Sequence, residues 1–462
     1  MQSFFSRIKG KKLNIGFLGL GKSNTGILDF LRGLGFDFNL TVRSDKDFVY
    51  DETLLADRIF KEQNVLDCID EDYLFLSPSV RRDRSELAYA KAHGTTLSSD
   101  AELFFSHTDK DIFAVTGSDG KSTTTFLISK MLSSEKTKYE AAGNFGKSLT
   151  PFLKSSTVPV AELSSFQLMY MKPKTKRAVI TNITPNHLNW HTSLFEYINA
   201  KKNIFENSDG IVLDVDSEIL RDNLPKKKLF CAVSDKFSLH FMLKHFNSEN
   251  YITKKDSLVF LNGKPLFDTR EATRRESYNV KNFMLAAGTV FEFSNYESIL
   301  NTVKSFSGLP HRAELIATKN GISYINSSID SSPERTLKTL RAIKSAYNSE
   351  GEDVPRVCVI IGGLGKGLDT KPLAQELPSL SIAAVLLGEV GNEIYSLLKK
   401  ENSKYRFVLA QGMEDAVRKA ESFVFTGGAV LLSPAATSFD SYRNFEERGE
   451  DFKRIITEKN SY

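Results

Sequence analysis

Ile112-Phe113-Ala114-Val115-Thr116-Gly117-Ser118-Asp119-Gly120-Lys121-Ser122-Thr123 is the stretch on which the fold turns. An apolar run enters a glycine-bracketed polar turn, and a helical pattern opens behind it. That is a strand, a loop and a helix. Gly117 and Gly120 let the backbone aim its N–H groups at an anion. Lys121 brings a point charge to terminal phosphates, and the Ser122 hydroxyl suits Mg²⁺. The amides that open the helix complete a phosphate cradle, in which Ser118, Asp119 and Thr123 take part. Val115 stands where the first glycine of GxxxxGK[ST] belongs, so the pattern is not a full Walker A. Read structurally, the same stretch is a polar turn that caps a helix.

The chain has 462 residues, too many for one core; about three domains of ~150 residues are expected. Its 41% hydrophobic and 26% charged residues are ordinary for a globular protein. A net charge of +4 does not imply a nucleic-acid partner. Lys226-Lys227-Lys228 and Arg81-Arg82 read as solvated faces. Cys68, Cys231 and Cys358 are far apart and odd in number, which suits a reducing compartment. Leu13 to Leu20 reads as a strand and turn, not a signal peptide, and no run of about 18 apolar residues occurs. The expectation is a cytoplasmic protein with no membrane partner.

Leu13 to Leu18, the turn Gly19-Leu20-Gly21-Lys22-Ser23, a helix from about Ile27 to Leu34 and the run Phe38 to Val42 form a βαβ opening. Asn24 occupies the place of the third glycine of GxGxxG. Arg43 ends the second strand, where a nicotinamide site needs an acid. Hydride transfer is therefore disfavoured. A uridine-diphosphate or other phosphorylated ligand at Gly21, Lys22, Ser23 and Arg43 is the functional reading, and a ligand-free tight turn the structural one. Tyr73 to Leu76 is a further strand, ending at Ser77-Pro78-Ser79. Polar residues 106–110 and the break Ser307-Gly308-Leu309-Pro310 divide the chain into 1–108, 109–309 and 310–462. Strands are read at Val158–Ala161, Ala178–Ile183 and Ile211–Leu213. In the last section they fall at Ile322–Ile325, Val357–Ile361, Ala383–Leu387, Phe407–Leu409 and Ala429–Leu432, with helices between. Alternation of this kind favours parallel sheets.

Two strand ends carry candidate ligands. Glu162 closes Val158-Pro159-Val160-Ala161, at the edge where parallel sheets bind ligands, and offers oxygen to Mg²⁺. Taken alone, it is a solvent-exposed strand end. His187 follows the strand that ends in Asn182-Ile183-Thr184-Pro185-Asn186. His187 and His191 have i,i+4 spacing, but Pro185 argues for a turn there, which leaves His187 as the better ligand.

GSDGKST, ELSSFQL (162–168), NITPNHLNWH (182–191), the tail LLSPAATSFDSYRNFEERGEDF (431–452), GLGKS and Ser77-Pro78-Ser79 occur in one order. Together they resemble the ATP-dependent Mur ligases of peptidoglycan synthesis, over nearly the whole chain. The resemblance implies three α/β domains: an N-terminal Rossmann-like domain for a uridine nucleotide, a central P-loop ATP-binding domain, and a C-terminal Rossmann-like domain for an amino acid. It implies an acid–amino-acid ligase acting through an acyl phosphate. The implied substrates are UDP-N-acetylmuramoyl-L-alanine and D-glutamate, with ATP and Mg²⁺ at two sites, in a monomer. Lys121 and Ser122 would hold phosphates and metal. Glu162 and His187 would bind metal, together with Lys201, which matches the family's carbamylated lysine; read structurally, Lys201 is an exposed helix cation. Asn144 would contact the muramoyl substrate, joined by Ser77 and Ser164. Asn279 and Asn282 would lie near adenine, and Arg312 would reach ATP. Lys366, Ser438, Phe439, Phe445 and Ser331 would serve the amino acid. Phe439 and Phe445 read equally well as core.

Two departures from the family pattern stand out. Asn186 and Asn189 replace acids that flank the metal histidine. In Asn326-Ser327-Ser328-Ile329-Asp330-Ser331, Ser327 replaces the acid expected at the ribose, and Asp330 is expected to compensate. Competing readings are a small-metabolite P-loop kinase, a silent nucleotide-binding regulator and a folylpolyglutamate-type ligase. A hinge is expected at Ser307 to Pro310.

Overall fold

The computed structural model describes residues 12–44, 56–188, 190–347, 356–365, 367–400, 404–438 and 440–458. Its elements alternate strand and helix, and three large sheets carry them. The first sheet runs Arg58–Lys61, Phe38–Ser44, Leu13–Leu18, Tyr73–Leu76, Thr96–Ser98, all parallel. Its central strands are buried on both faces, which is why they read as unbroken apolar runs.

The second sheet has nine strands. Phe113–Thr116 lies between Arg177–Ile180 and Val158–Glu162, parallel to both. The ends of these three strands therefore share one edge. Beyond Ser248–Lys255 the sheet turns antiparallel through Leu258–Leu261 and Lys264–Asp268. The third sheet, centred on Ala429–Leu432 and Val357–Gly362, is parallel except for Glu314–Lys319, which pairs antiparallel with Ile322–Asn326.

Packing divides the chain into two units. The first comprises 1–271 and 278–304; the second comprises 272–277 and 305–462. The first unit holds the first and second sheets, and one core cluster joins them: Phe30, Ala101 and Phe104 pack with Leu149, Phe152 and Ile180. Asp100 reinforces that junction. Its carboxylate accepts from the Ser148 and Thr150 hydroxyls and from the amides of Leu149 and Thr150. The second unit has its own cores on the two faces of its sheet. Among the described residues, no helix is long and apolar enough to cross a membrane.

The first helix begins at Lys22, not near Ile27, because Gly21 is extended and caps it. Asn24 is buried in its first turn and donates to the carbonyls of Leu18, Gly19 and Phe75. A side-chain amide thus closes the turn where a third glycine would permit close packing.

Candidate active site

The loop at 117–120 is shaped by the neighbouring strand end. Gly117 has φ +148°, and a Cβ there would meet Thr181 Oγ1 at 1.9 Å. Gly120 has φ +77°, and a Cβ would meet Asn282 Oδ1 at 2.4 Å. Both positions exclude other residues on steric grounds. Ser118 N–H donates to Asn182 O, and the Asp119 amide donates to Asn182 Oδ1. The Ser118 hydroxyl bonds Thr184 O and Tyr197 Oη. Lys121, Ser122 and Thr123 open the helix Lys121–Leu132, whose first-turn amides point away from its own carbonyls. Lys121 Nζ folds back to Ser118 O at 2.9 Å. Asn282, on the helix Ser277–Val290, accepts from Thr124. Asn279 is buried on the same helix. Thr181, Asn182 and Tyr197 hold the loop without having been singled out in the sequence; the signal for the first two was a polar pair after a strand, and Tyr197 lies on the helix Leu194–Lys202.

Glu162 is 1% exposed, so it is not a solvated strand end. Its Oε1 accepts from Asn144 Nδ2 at 2.7 Å, while Oε2 is buried without a partner among the described residues. Asn144 itself is exposed, and its amide donates to Glu162 O. Ser164 caps the short helix Ser165–Leu168 in a reciprocal box with Gln167. The crevice beside it is lined by Ser77, Pro78, Arg82, Phe166 and Tyr170.

Lys201 is 2% exposed, which overturns the reading of an exposed helix cation. It lies on the helix Leu194–Lys202 and donates to Gly117 O at 2.8 Å. Its ammonium is pushed well below the usual lysine range by burial and by the charge of Lys121, against the pull of Glu162 and Asp119. That environment disfavours the protonated form of the amine.

His187 is exposed at φ +56°, on a turn whose amide donates to Asn186 Oδ1. Burial and the charges of Lys201 and Lys121 lower its pKa, which favours the neutral, ligating imidazole. His191 is buried, 2.9 Å from Ser165 Oγ and 3.2 Å from Glu196, so it braces the loop and does not pair with His187. Asn189 lies outside the described residues.

In the first sheet, Gly21 and Lys22 are exposed, Ser23 is half-buried, and Ser77 Oγ donates to Gly19 O. Arg43 does not belong with them. It is fully buried, and its five N–H donors go to Glu71 and to the carbonyls of Val65, Asp67 and Cys68. It offers nothing to a ligand, so its place as a candidate is corrected to a structural one. The solvated reading of Arg81-Arg82 also fails: Arg81 pairs with Asp83 and Glu196, and Arg82 with Glu102.

In the second unit, Asp330 is buried and accepts from Ser433 Oγ, and burial raises its pKa. It presents no exposed carboxylate to a ribose, so the expected compensation is not what its side chain does. Ser327 is buried and accepts from the Ala313 amide. Arg312 is exposed, Ser331 half-buried and Ser438 buried; Phe445 is half-buried against His311. Lys366 and Phe439 lie outside the described residues. Arg448, not anticipated as a site residue, is buried and donates to Ser328, Gly362, Ala436 and Thr437. It ties three strand-end loops together.

Ser122 and Glu162 supply the hard oxygens Mg²⁺ prefers, and the orphaned Glu162 Oε2 is the observation that fits a cation. Lys201 fits only after conversion to an anion.

A glycine-bracketed loop and a buried carboxylate at the ends of adjacent parallel strands, with a buried lysine reaching the loop from the helix Leu194–Lys202, make up a site of the nucleotide-binding enzyme class. The model of the Mur ligase middle domain matches residues 115–290. The chain is 36% identical over 472 residues to the UDP-N-acetylmuramoylalanine--D-glutamate ligase of Clostridium acetobutylicum, covering 98% of each. It is 34% identical over 480 residues to the enzyme of that name from Acetivibrio thermocellus, covering 99% of this chain and 98% of the other. Its fold is similar to that of UDP-N-acetylmuramate-alanine ligase from Thermotoga maritima, with TM-score 0.59, 19% identity, and 97% and 100% of the two chains covered. A pseudomurein peptide ligase type C from Methanothermus fervidus follows at TM-score 0.51, 16% identity, and 97% and 100% coverage. The chain belongs to the Mur ligase family. It is an ATP-dependent ligase of peptidoglycan precursor synthesis, in a family that generally uses Mg²⁺.

Proposed function

We propose that this ligase joins D-glutamate to the carboxylate of UDP-N-acetylmuramoyl-L-alanine. The relatives' name supports the substrate pair, and the grouping of Lys201 and Glu162 beneath the phosphate loop carries the chemistry. The L-alanine carboxylate oxygen attacks the γ-phosphorus of ATP, and ADP leaves. The D-glutamate amine then attacks the acyl carbon, phosphate departs, and the amine loses a proton. Lys121 neutralises the phosphate charge that builds during the first step, where positioning and electrostatics do most of the catalysis. Mg²⁺, when bound, shields phosphate oxygens; Ser122, Glu162 and His187 would hold it, at two sites with Lys201 as its carbamate. To become that ligand, the Lys201 amine forms an N–C bond to CO₂ and releases one proton, so a cation becomes an oxygen donor.

On this reading residues 1–108 take the uridine nucleotide at Gly21, Lys22, Ser23 and Ser77. Residues 109–309 take ATP, with Asn279 and Asn282 by the adenine and Asn144 and Ser164 by the muramoyl group. Residues 310–462 take D-glutamate through Ser331, Ser438 and Phe445, with Arg312 toward ATP. The enzyme works as a cytoplasmic monomer. The test is phosphate release from ATP with UDP-N-acetylmuramoyl-L-alanine and a panel of D- and L-amino acids. Release that requires D-glutamate is expected; release with another amino acid alone, or with none, overturns the assignment.

A further inference from the structure

Arg81 and Trp190 have no part in the roles above, yet they join two functional loops. Arg81 follows the Ser77-Pro78-Ser79 turn of the first sheet. Trp190 closes the segment that carries His187. Arg81 Nη1 donates to Trp190 O at 2.8 Å and to Glu196 Oε2 at 3.2 Å. Its guanidinium lies 5.0 Å from the centre of the indole; Nε donates to Asp83, and Nη2 donates to Asp83 and to Glu196 Oε1. Trp190 Nε1 donates in return to Ser79 O at 2.7 Å. A charge-assisted pair, a cation–π contact and a hydrogen bond thus cross between the same two loops.

The connection reaches the strand edge. Glu196 also accepts from the Thr192 amide and lies beside His191, which contacts Ser165. The Phe166 ring is 4.2 Å from the indole of Trp190 and 5.1 Å from His187. Arg81 holds the Glu196 carboxyl down at about 2, so the pair stays charged at any working pH.

We propose that Arg81 and Trp190 are positioning residues that lock the Ser77–Ser79 loop to the His187 loop, and so register the nucleotide-linked carboxylate against the phosphoryl-transfer site. This rests on the function proposed above. Its logic is that small misplacements of a reacting group cost large factors in rate.

Trp190 is the one tryptophan of the chain, so its emission reports the contact directly. In Arg81→Gln the free protein, at a temperature well below its melting transition, should show red-shifted emission and readier quenching by acrylamide. At saturating ATP, kcat/KM for UDP-N-acetylmuramoyl-L-alanine should fall about tenfold while KM for ATP holds, and Arg81→Lys should recover part of the loss. Trp190→Phe keeps a ring but loses the bond to Ser79, and should show the same kinetic split. Unchanged emission and quenching in Arg81→Gln would overturn the contact. A raised KM for ATP, or no loss in kcat/KM for the muramoyl nucleotide, would overturn the positioning role. If the parent protein does not use the muramoyl nucleotide, the functional reading fails, while the substrate-free quenching still decides whether the contact exists.

Discussion

Arg43 in the first sheet and Lys201 at the central strand edge are both buried cations, and their surroundings differ in kind. Arg43 spends every donor on Glu71 and three carbonyls, and its plane stacks 4.2 Å over Phe60. Lys201 has one good acceptor, Gly117 O, and lies near the positive Lys121. A buried cation whose charge is neutralised and whose donors are filled is scaffold. One held where its charge is penalised is retained for chemistry. Lys281 belongs with Arg43, since it is ringed by Asp214, Asp216 and Asp235 and stays charged.

That contrast can be broken by substitution. Arg43→Met should destabilise the first unit by about 3 kcal/mol in denaturant melts, because Glu71 would be left buried with only Arg58, 3.8 Å away, as counter-charge. A loss under about 1 kcal/mol would remove the scaffold reading.

Lys281→Met should cost a similar ~3–5 kcal/mol at neutral pH. Its pH dependence follows from Asp214, whose carboxyl burial already raises to about 6. Without Lys281 that carboxyl rises further, since its largest stabilising charge is gone. The folded variant then takes up a proton more readily than the unfolded chain. The deficit is therefore largest above the raised pKa of the variant, shrinks as the pH falls from there toward about 6, and levels off below, where the parent carboxyl is protonated too. Melts at pH 5 and 8 that show equal deficits would contradict this.

Lys201→Met should behave oppositely. Turnover should fall roughly a hundredfold or more, while stability holds or rises, because a penalised charge has been removed. In Lys201→Ala, which leaves room in the site, added acetate or formate should restore part of the activity by supplying the missing oxygen ligand. A stability loss as large as that of Arg43→Met would place Lys201 in the scaffold class.

Ser164→Ala is the finest probe. Loss of the reciprocal cap should cost about 1 kcal/mol in stability. A rise in KM for the muramoyl nucleotide beyond what that loss explains would mark Ser164 as a substrate contact as well.

The strands were legible where they are buried on both faces, as at Leu13–Leu18, Ala383–Leu387 and Ala429–Leu432. Their edges were less so. The strands Leu258–Leu261, Lys264–Asp268 and Glu314–Lys319 went unread, although Asn262-Gly263 and Asn320-Gly321, all with positive φ, are two-residue hairpin turns written in the sequence. The phosphate loop was legible because its glycines and lysine are adjacent, and their chemistry needs that adjacency. Arg43 was misread for the converse reason. Its four acceptors come from residues 65–71, and nothing local to the arginine announces them. Arg81-Arg82 failed in the same way, since Glu196 and Trp190 lie over a hundred residues away in sequence.

By itself, then, the sequence determined the alternating strands and helices, the loop at 117–123 and the family, because each rests on neighbouring residues or on a fixed order of motifs. Tertiary structure alone decided which charged groups are expended and which are held in reserve. Glu162, Lys201, Arg43 and Asp330 all look alike as charged letters. Burial and the supply of partners from distant strands divide them, since the cost of a buried charge depends on what the folded chain brings to it.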